Sequence, residues 1–368
     1  MQRTGIAVLP LHYGHAPQWL VQRMKSLADE MVMLMIEDKG QENFLRRISD
    51  PYWFQAFGCV LGFDWHSSGL TTVVSGVLKE ALSMDRHGLA LAGGKGRSGK
   101  ATPQEIEKIC SAAGISSGLQ NYMKYASKMC AKVDNSAIQA GYNIYHHTFF
   151  ITEKGRWAVV QQGLSNSDRT ARRYHWLDEK VTNFVEEPHN GMVGDVVRDS
   201  ALNMIAKESD ENRKTCVDIA KDRPENTISS IKKLSGVGFG LDRWIFGMNR
   251  VDAFSMPYKL NWEIFKQLYE TQPRNYEELL AFKGVGPSTV RALALVAQLI
   301  YGKPASWRDP VKFTFAHGGK DGVPFPVDKR VMDETISYLK EVIEGVDSKG
   351  KKDALFRLNM LQSNWINS

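Results

Sequence analysis

Apolar residues recur along the chain in two rhythms. Between residues 17 and 37, Leu20, Met24, Leu27, Met31 and Leu34 stand three or four positions apart, the spacing that places them on one stripe of an α-helix. The same period predicts helices over residues 41–48, 68–82 and 103–112. At the start of the last, Thr102-Pro103-Gln104-Glu105 has the form of a capping box with proline in the first turn. A second rhythm, short runs of apolar and aromatic residues, marks 146–152 and 156–162 on either side of Glu153-Lys154-Gly155 and predicts a β-hairpin; residues 4–10 read as a further short strand. After the loop-like Glu186-Glu187-Pro188-His189-Asn190-Gly191 the helical period returns and holds from residue 199 to Tyr301. The apolar runs 311–315 and 323–327 bracket a glycine-rich turn and predict a second β excursion, followed by helix over 328–342.

This pattern predicts an α+β protein. A mixed α/β N-terminal domain with a β-hairpin spans 1–190, a mainly α-helical domain spans 200–345, and a C-terminal tail covers 346–368. A hydrophobic content of 43% with 24% charged residues belongs to a folded globular chain rather than a disordered one. The net charge of +6 suits a polyanionic partner without the density of a basic tail. Cys59, Cys110, Cys130 and Cys216 have no paired spacing, so free thiols in a reducing compartment are expected rather than a zinc ribbon. With no secretory leader and no run long enough to span a bilayer, a cytoplasmic protein with no membrane partner is expected.

The most informative segment is Leu279-Leu280-Ala281-Phe282-Lys283-Gly284-Val285-Gly286-Pro287-Ser288-Thr289-Val290-Arg291, two short amphipathic stretches joined by a Gly-Val-Gly turn. Glycines let the chain reverse tightly, and a proline at the first helical position opens a helix whose N-terminal amides carry partial positive charge, a grip for a phosphate whatever base it carries. Lys283, Gly284, Val285, Gly286, Pro287, Ser288 and Arg291 are therefore candidate nucleic-acid contacts. Ile231-Lys232-Lys233-Leu234-Ser235-Gly236-Val237-Gly238 echoes the turn but opens no second helix pattern. Gly93-Gly94-Lys95-Gly96-Arg97-Ser98-Gly99-Lys100-Ala101 falls short of a nucleotide-binding loop, because Ala101 stands where a magnesium-binding hydroxyl belongs. Its cations Lys95, Arg97 and Lys100 read instead as backbone contacts on a mobile loop. Arg172 and Arg173, interleaved with aromatics between Arg169 and Trp176, have the composition of a single-strand-binding element.

Two sets of residues offer chemistry. Pro326-Val327-Asp328 opens a predicted helix downstream of the Gly-Val-Gly turn, where a carboxylate can stabilise a cation developing on a sugar as its base leaves, or can simply cap the helix. In the N-terminal half, Asp64, His66, Asp134, His146 and His147 combine carboxylate with imidazole, a donor set suited to a divalent metal that activates water, with Asp64, His66 and His147 the candidate ligands.

The turn and the Val-Asp segment resemble the helix-hairpin-helix DNA glycosylases over roughly residues 200–345. That resemblance implies a DNA partner, single-stranded or lesion-containing DNA included, and base excision by Asp328 with no cofactor. Ser288 occupies the position where bifunctional members carry lysine, so the resemblance implies a monofunctional enzyme with water as nucleophile. Gly286 and Asp328 also stand farther apart than in that family. Asp50-Pro51-Tyr52-Trp53-Phe54, Asp64-Trp65-His66-Ser67-Ser68-Gly69 and Tyr145-His146-His147 are similar to an uncharacterised prokaryotic family that carries a helix-hairpin-helix segment near its C-terminus. The sequence thus leaves three functions open: a DNA-processing enzyme of repair type, a metal-dependent nuclease with its chemistry in the N-terminal domain, and a non-enzymatic DNA-binding protein.

Overall fold

A computed structural model describes residues 18–61, 68–194, 196–236, 255–257 and 259–311. The chain opens with α1 (Gln18–Ile48), α2 (Pro51–Val60), α3 (Ser68–Ala81) and α4 (Met84–His87), then enters β1 (Leu89–Lys95). The two helices predicted over 17–37 and 41–48 are one run kinked at Gly40, whose φ of 78° is accessible to glycine and costly for other residues. Next come α5 (Arg97–Lys100), α6 (Thr102–Ala112), α7 (Ser117–Lys132) and a π-type turn (Val133–Ala137). Strands β2 (Ile138–Gln139), β3 (Asn143–Thr152), β4 (Trp157–Ser165), β5 (Thr170–Leu177), β6 (Gly191–Gly194) and β7 (Leu202–Asn203) follow. The helical segment supplies α8 (Asp210–Lys221), α9 (Pro224–Gly236), α10 (Glu263–Thr271), α11 (Tyr276–Ala281) and α12 (Pro287–Leu299).

Five strands form an antiparallel sheet in the order β1-β3-β4-β5-β6, while β2 and β7 pair in a small ladder. The fold class is therefore α+β, as the pattern predicts. The expected hairpin is β3 and β4, with Gly155 at φ 74° in its turn and His147 facing Gln161 across the ladder. Helices cover both faces of the sheet. Phe150, Ala158, Val160 and Leu177 pack under Met24, Met31, Phe44, Phe54, Leu70 and Val74 of α1 to α3. On the other face Phe149, Ile151, Trp157, Val159 and Trp176 join Ile106, Met123 and Met129 of α6 and α7, and the same cluster continues through Leu279, Val285, Val290 and Leu293. This continuity seats the turn between α11 and α12 beside the sheet. No helix among the described residues is long and apolar enough to cross a membrane.

Because both faces are covered, the strands bury nearly every side chain, polar ones included, and each such group needs a partner inside. Arg172 and Arg173, expected on a nucleic acid, belong to this interior and are 0% and 1% exposed. They lie on a strand, so they point to opposite faces. Arg172 donates to Asp309 Oδ2 at 2.6 Å and lies over the Tyr142 ring. Arg173 donates to His175 Nε2 at 2.8 Å and to the Pro51 carbonyl at 3.3 Å, with its guanidinium over Phe54. The expectation is corrected: these cations tie β5 to segments far away in sequence and face no solvent-borne phosphate.

The Arg172–Asp309 pair is fully buried on both sides, so removing one member leaves a charge without its partner. Arg172→Met is predicted to lower the free energy of urea unfolding by about 3–5 kcal/mol. An unchanged unfolding midpoint would contradict a tie of that kind.

Candidate functional site

A cleft of about 680 Å³ gathers residues that the sequence keeps far apart. Its walls are the loop after β1 (Gly96, Gly99, Lys100), the end of α7 and the π-type turn (Ser127, Lys128, Lys132, Asn135, Ser136), the start of β3 (Ile144, Tyr145, His147) and the turn before α12 (Val285, Gly286, Pro287). Three lysines line it, and no described lining residue is a carboxylate. The lining is therefore positively charged by composition.

The loop is held against β3 by backbone contacts. Gly93 has φ 95°, and a Cβ there would lie 2.2 Å from the His147 carbonyl oxygen; a Cβ at Gly99 would come within 2.7 Å of the Gly94 oxygen. Thr102 and Glu105 do not form the capping box that their spacing suggests. Thr102 Oγ1 donates to the Gly99 carbonyl at 2.7 Å, and the Glu105 carboxylate accepts from the Gly93 N–H at 2.8 Å and from Lys79 Nζ at 2.6 Å. Both side chains are drawn away from the helix end to fasten the loop. What was expected as a mobile loop is the end of an edge strand followed by a helical turn, with Lys95, Arg97 and Lys100 exposed.

The turn between α11 and α12 is anchored from below. Val285 is buried as its plug, and Lys132 donates to the carbonyls of Phe282 at 2.6 Å and Val285 at 2.7 Å. Burial, with Lys128 nearby, draws the Lys132 ammonium down to about 8. Gly284 has φ 98°, and a Cβ there would press 2.7 Å from Ile264 Cδ1. Gly286 differs from the expectation: its φ of −136° is ordinary extended backbone, and a Cβ there would meet nothing within 4 Å. Its missing side chain therefore leaves space in the cleft at the N-terminus of α12. Lys283 and Ser288 are exposed. Arg291 is turned inward, donating to the Ser255 carbonyl at 3.0 Å and lying over Trp307, so the expected flanking cation is engaged within the protein.

Behind the cleft wall runs a chain of hydrogen bonds. Ser127 Oγ lies 2.8 Å from His147 Nε2, and His147 Nδ1 lies 2.7 Å from Gln161 Oε1. The Gln161 amide nitrogen donates to the Cys130 carbonyl at 3.0 Å and to Asp134 Oδ2. Asp134 also accepts from Trp176 Nε1 at 2.9 Å, and its second oxygen meets His189 Nε2 at 2.5 Å. These contacts fix the imidazole. A peptide carbonyl only accepts, so the nitrogen end of Gln161 must face Cys130 and its oxygen must face His147. His147 then carries its proton on Nδ1 and presents the Nε2 lone pair to the Ser127 hydroxyl. Burial holds the imidazole below its usual value, opposed by the Gln161 hydrogen bond and by Asp134, and so keeps it neutral.

The structure also separates residues that were expected together. His146 and His147 are neighbours on one strand and face opposite sides of the sheet, so they cannot share an ion with Asp134. His146 Nε2 lies 2.8 Å from Thr148 Oγ1, and its imidazole is pulled down to about 3, chiefly by burial. Among the described residues no group of three or more His, Cys, Asp and Glu is placed to hold a metal. Asp64, His66 and Asp328 lie outside the described residues, as does the second β excursion. Ser127, Lys128 and Lys132 were missed, since α7 shows only an amphipathic pattern in the sequence.

Fold and cleft together define an α+β protein with helices on both faces of an antiparallel sheet and a lysine-lined cleft on one side. Residues 5–327 match the profile of a family described as Protein of unknown function (DUF763), and the chain belongs to that family. No curated protein and no solved structure matches the chain.

The fixed imidazole can be seen directly. Long-range ¹H–¹⁵N correlation at pH 7 is predicted to show His147 as the neutral Nδ1–H tautomer, with its protonation midpoint below that of a free imidazole because the ring is buried. An Nε2–H tautomer or a protonated ring would refute the assignment.

Proposed function

We propose that the protein is a DNA-binding, DNA-processing enzyme of repair type that takes the phosphate backbone into the cleft between residues 96–100 and the turn before α12. The observation that carries this reading is the cleft lining: three lysines, no described carboxylate, and the N-terminus of a thirteen-residue helix opened by Gly286-Pro287. The first amides of a helix lack intrahelical acceptors, and their dipoles add to the ammonium charge. Open space at Gly286 gives a phosphate room to approach the backbone. Exposed Lys283 and Ser288, next in sequence to the turn, and exposed Lys95 and Arg97, flanking Gly96 on the loop that carries Lys100, would extend the positive surface along a nucleic-acid strand. Such contacts read the backbone and not the base sequence. Base release by Asp328 remains part of the proposal through the resemblance to helix-hairpin-helix glycosylases alone; the grip rests on the described residues.

Fluorescence anisotropy with labelled single- and double-stranded oligonucleotides tests the grip. Gly286→Asp is predicted to weaken binding at least tenfold, about 1.4 kcal/mol, by filling the space and adding a negative charge. Lys100→Ala should weaken it evenly across sequences and reduce the slope of log affinity against log salt by about 0.7–0.9. The Lys132 cation is lost as the pH rises through about 8, so affinity is predicted to be greatest below that value and to fall above it. Unchanged affinity in both variants would reject the cleft as the binding site.

A further inference from the structure

Ser127 lies inside α7, where a serine hydroxyl ordinarily turns back to the carbonyl one turn earlier. Here Oγ is instead 2.8 Å from His147 Nε2, and both residues line the lysine-rich cleft at 3% and 5% exposure. A hydroxyl bonded to an imidazole lone pair, with the far ring nitrogen held by a third group, is the arrangement that activates a nucleophile. Gln161 is that third group, a positioning residue whose own amide is held by the Cys130 carbonyl and Asp134.

We propose that Ser127 is the nucleophile of a phosphodiester hydrolysis with His147 as its general base and acid, an inference that takes its substrate class from the DNA-binding reading above. In the first step the Ser127 oxygen bonds to phosphorus, its proton passes to His147 Nε2, and one ester oxygen leaves, taking that proton to become an alcohol. In the second step water attacks the phosphoseryl diester and gives its proton to His147. The P–Oγ bond breaks, and Ser127 recovers the proton. Water is the only co-reactant, and the products are an alcohol and a phosphomonoester. Lys100 and Lys128, which line the same cleft as Ser127, supply positive charge for the non-bridging oxygens as negative charge grows on them. The neutral state of His147, enforced by its burial, is the state a general base requires.

The test is covalent trapping on the full chain. A fluorophosphonate probe, which loses fluoride to an activated serine, is expected to label Ser127 in the folded protein, with the adduct mapped by peptide mass. His147→Gln should slow labelling about 100-fold or more, with its circular dichroism checked against the parent. Turnover of bis(4-nitrophenyl) phosphate should be present in the parent and absent in Ser127→Ala. No adduct on Ser127 in the parent, or phosphodiester turnover that survives Ser127→Ala, overturns the proposal. Labelling accompanied by cleavage of 4-nitrophenyl acetate but not of the phosphodiester overturns the assigned substrate class. The two readings fail separately: oligonucleotide binding without an adduct removes the nucleophile and leaves the grip, and an adduct without oligonucleotide binding removes the grip and leaves an activated serine.

Discussion

The carboxylate of Asp134 is completely buried at the junction of α7 with the sheet, and the groups that satisfy it organise the interior around it. A buried carboxylate without donors would cost several kcal/mol. Here Gln161 comes from β4, Trp176 from β5 and His189 from the segment leading into β6. Each donor fixes its own strand or segment relative to the π-type turn that carries Asp134, so the end of α7 is locked in place over the sheet. That position sets two others. Lys132, at the end of the same helix, reaches the turn carbonyls before α12, and Ser127, inside the helix, meets His147. The cleft is the space left between elements that this network holds in register.

Two segments far apart in the chain are brought to one place as a result. The glycine loop after β1 is tied down by Thr102 and Glu105, and the turn before α12 by Val285 and Lys132. Apart from Lys132, which also lines the cleft, the ties do not use the groups proposed to meet an anion. Lys100, Lys128 and the open backbone at Gly286 remain at the cleft wall while the fastening is done by buried or inward-facing atoms. Support and contact are thus divided between different residues, with Lys132 alone sharing in both. The proposed phosphate grip accordingly rests on Lys100, Lys128 and the helix N-terminus at Gly286, and the proposed chemistry on the Ser127–His147 pair.

Much of this was legible in the sequence, and the limits are physical. The helical stripe before Gly40 and the hairpin about Lys154 follow from local periodicity, and a hairpin centred there already places His147 opposite Gln161. Pro287 after a glycine marked the start of α12. The adjacent pairs were harder to read. Arg172-Arg173 and His146-His147 look like clusters in sequence, but strand alternation sends each pair to opposite faces, and the partners of Arg172, Arg173 and His147, namely Asp309, Pro51 and Ser127, stand well away in the chain. Ser127 carried no local signal at all, because a single serine on an amphipathic helix gains its meaning only from the strand it packs on. The Thr102 and Glu105 capping pattern failed for the same reason, since partners in the loop outcompeted the helix end.

The turn before α12 and the Ser127–His147 pair line one cleft, which is the proposed seat of the nucleic-acid backbone. An NMR titration of the ¹⁵N-labelled protein with a short oligonucleotide tests it most directly, following the amides of Gly99, Gly286 and Ser288 together with the His147 ring nitrogens. All four sets of signals are predicted to shift with one saturation curve. Shifts at Gly286 and Ser288 that saturate while the His147 imidazole stays unmoved would contradict it.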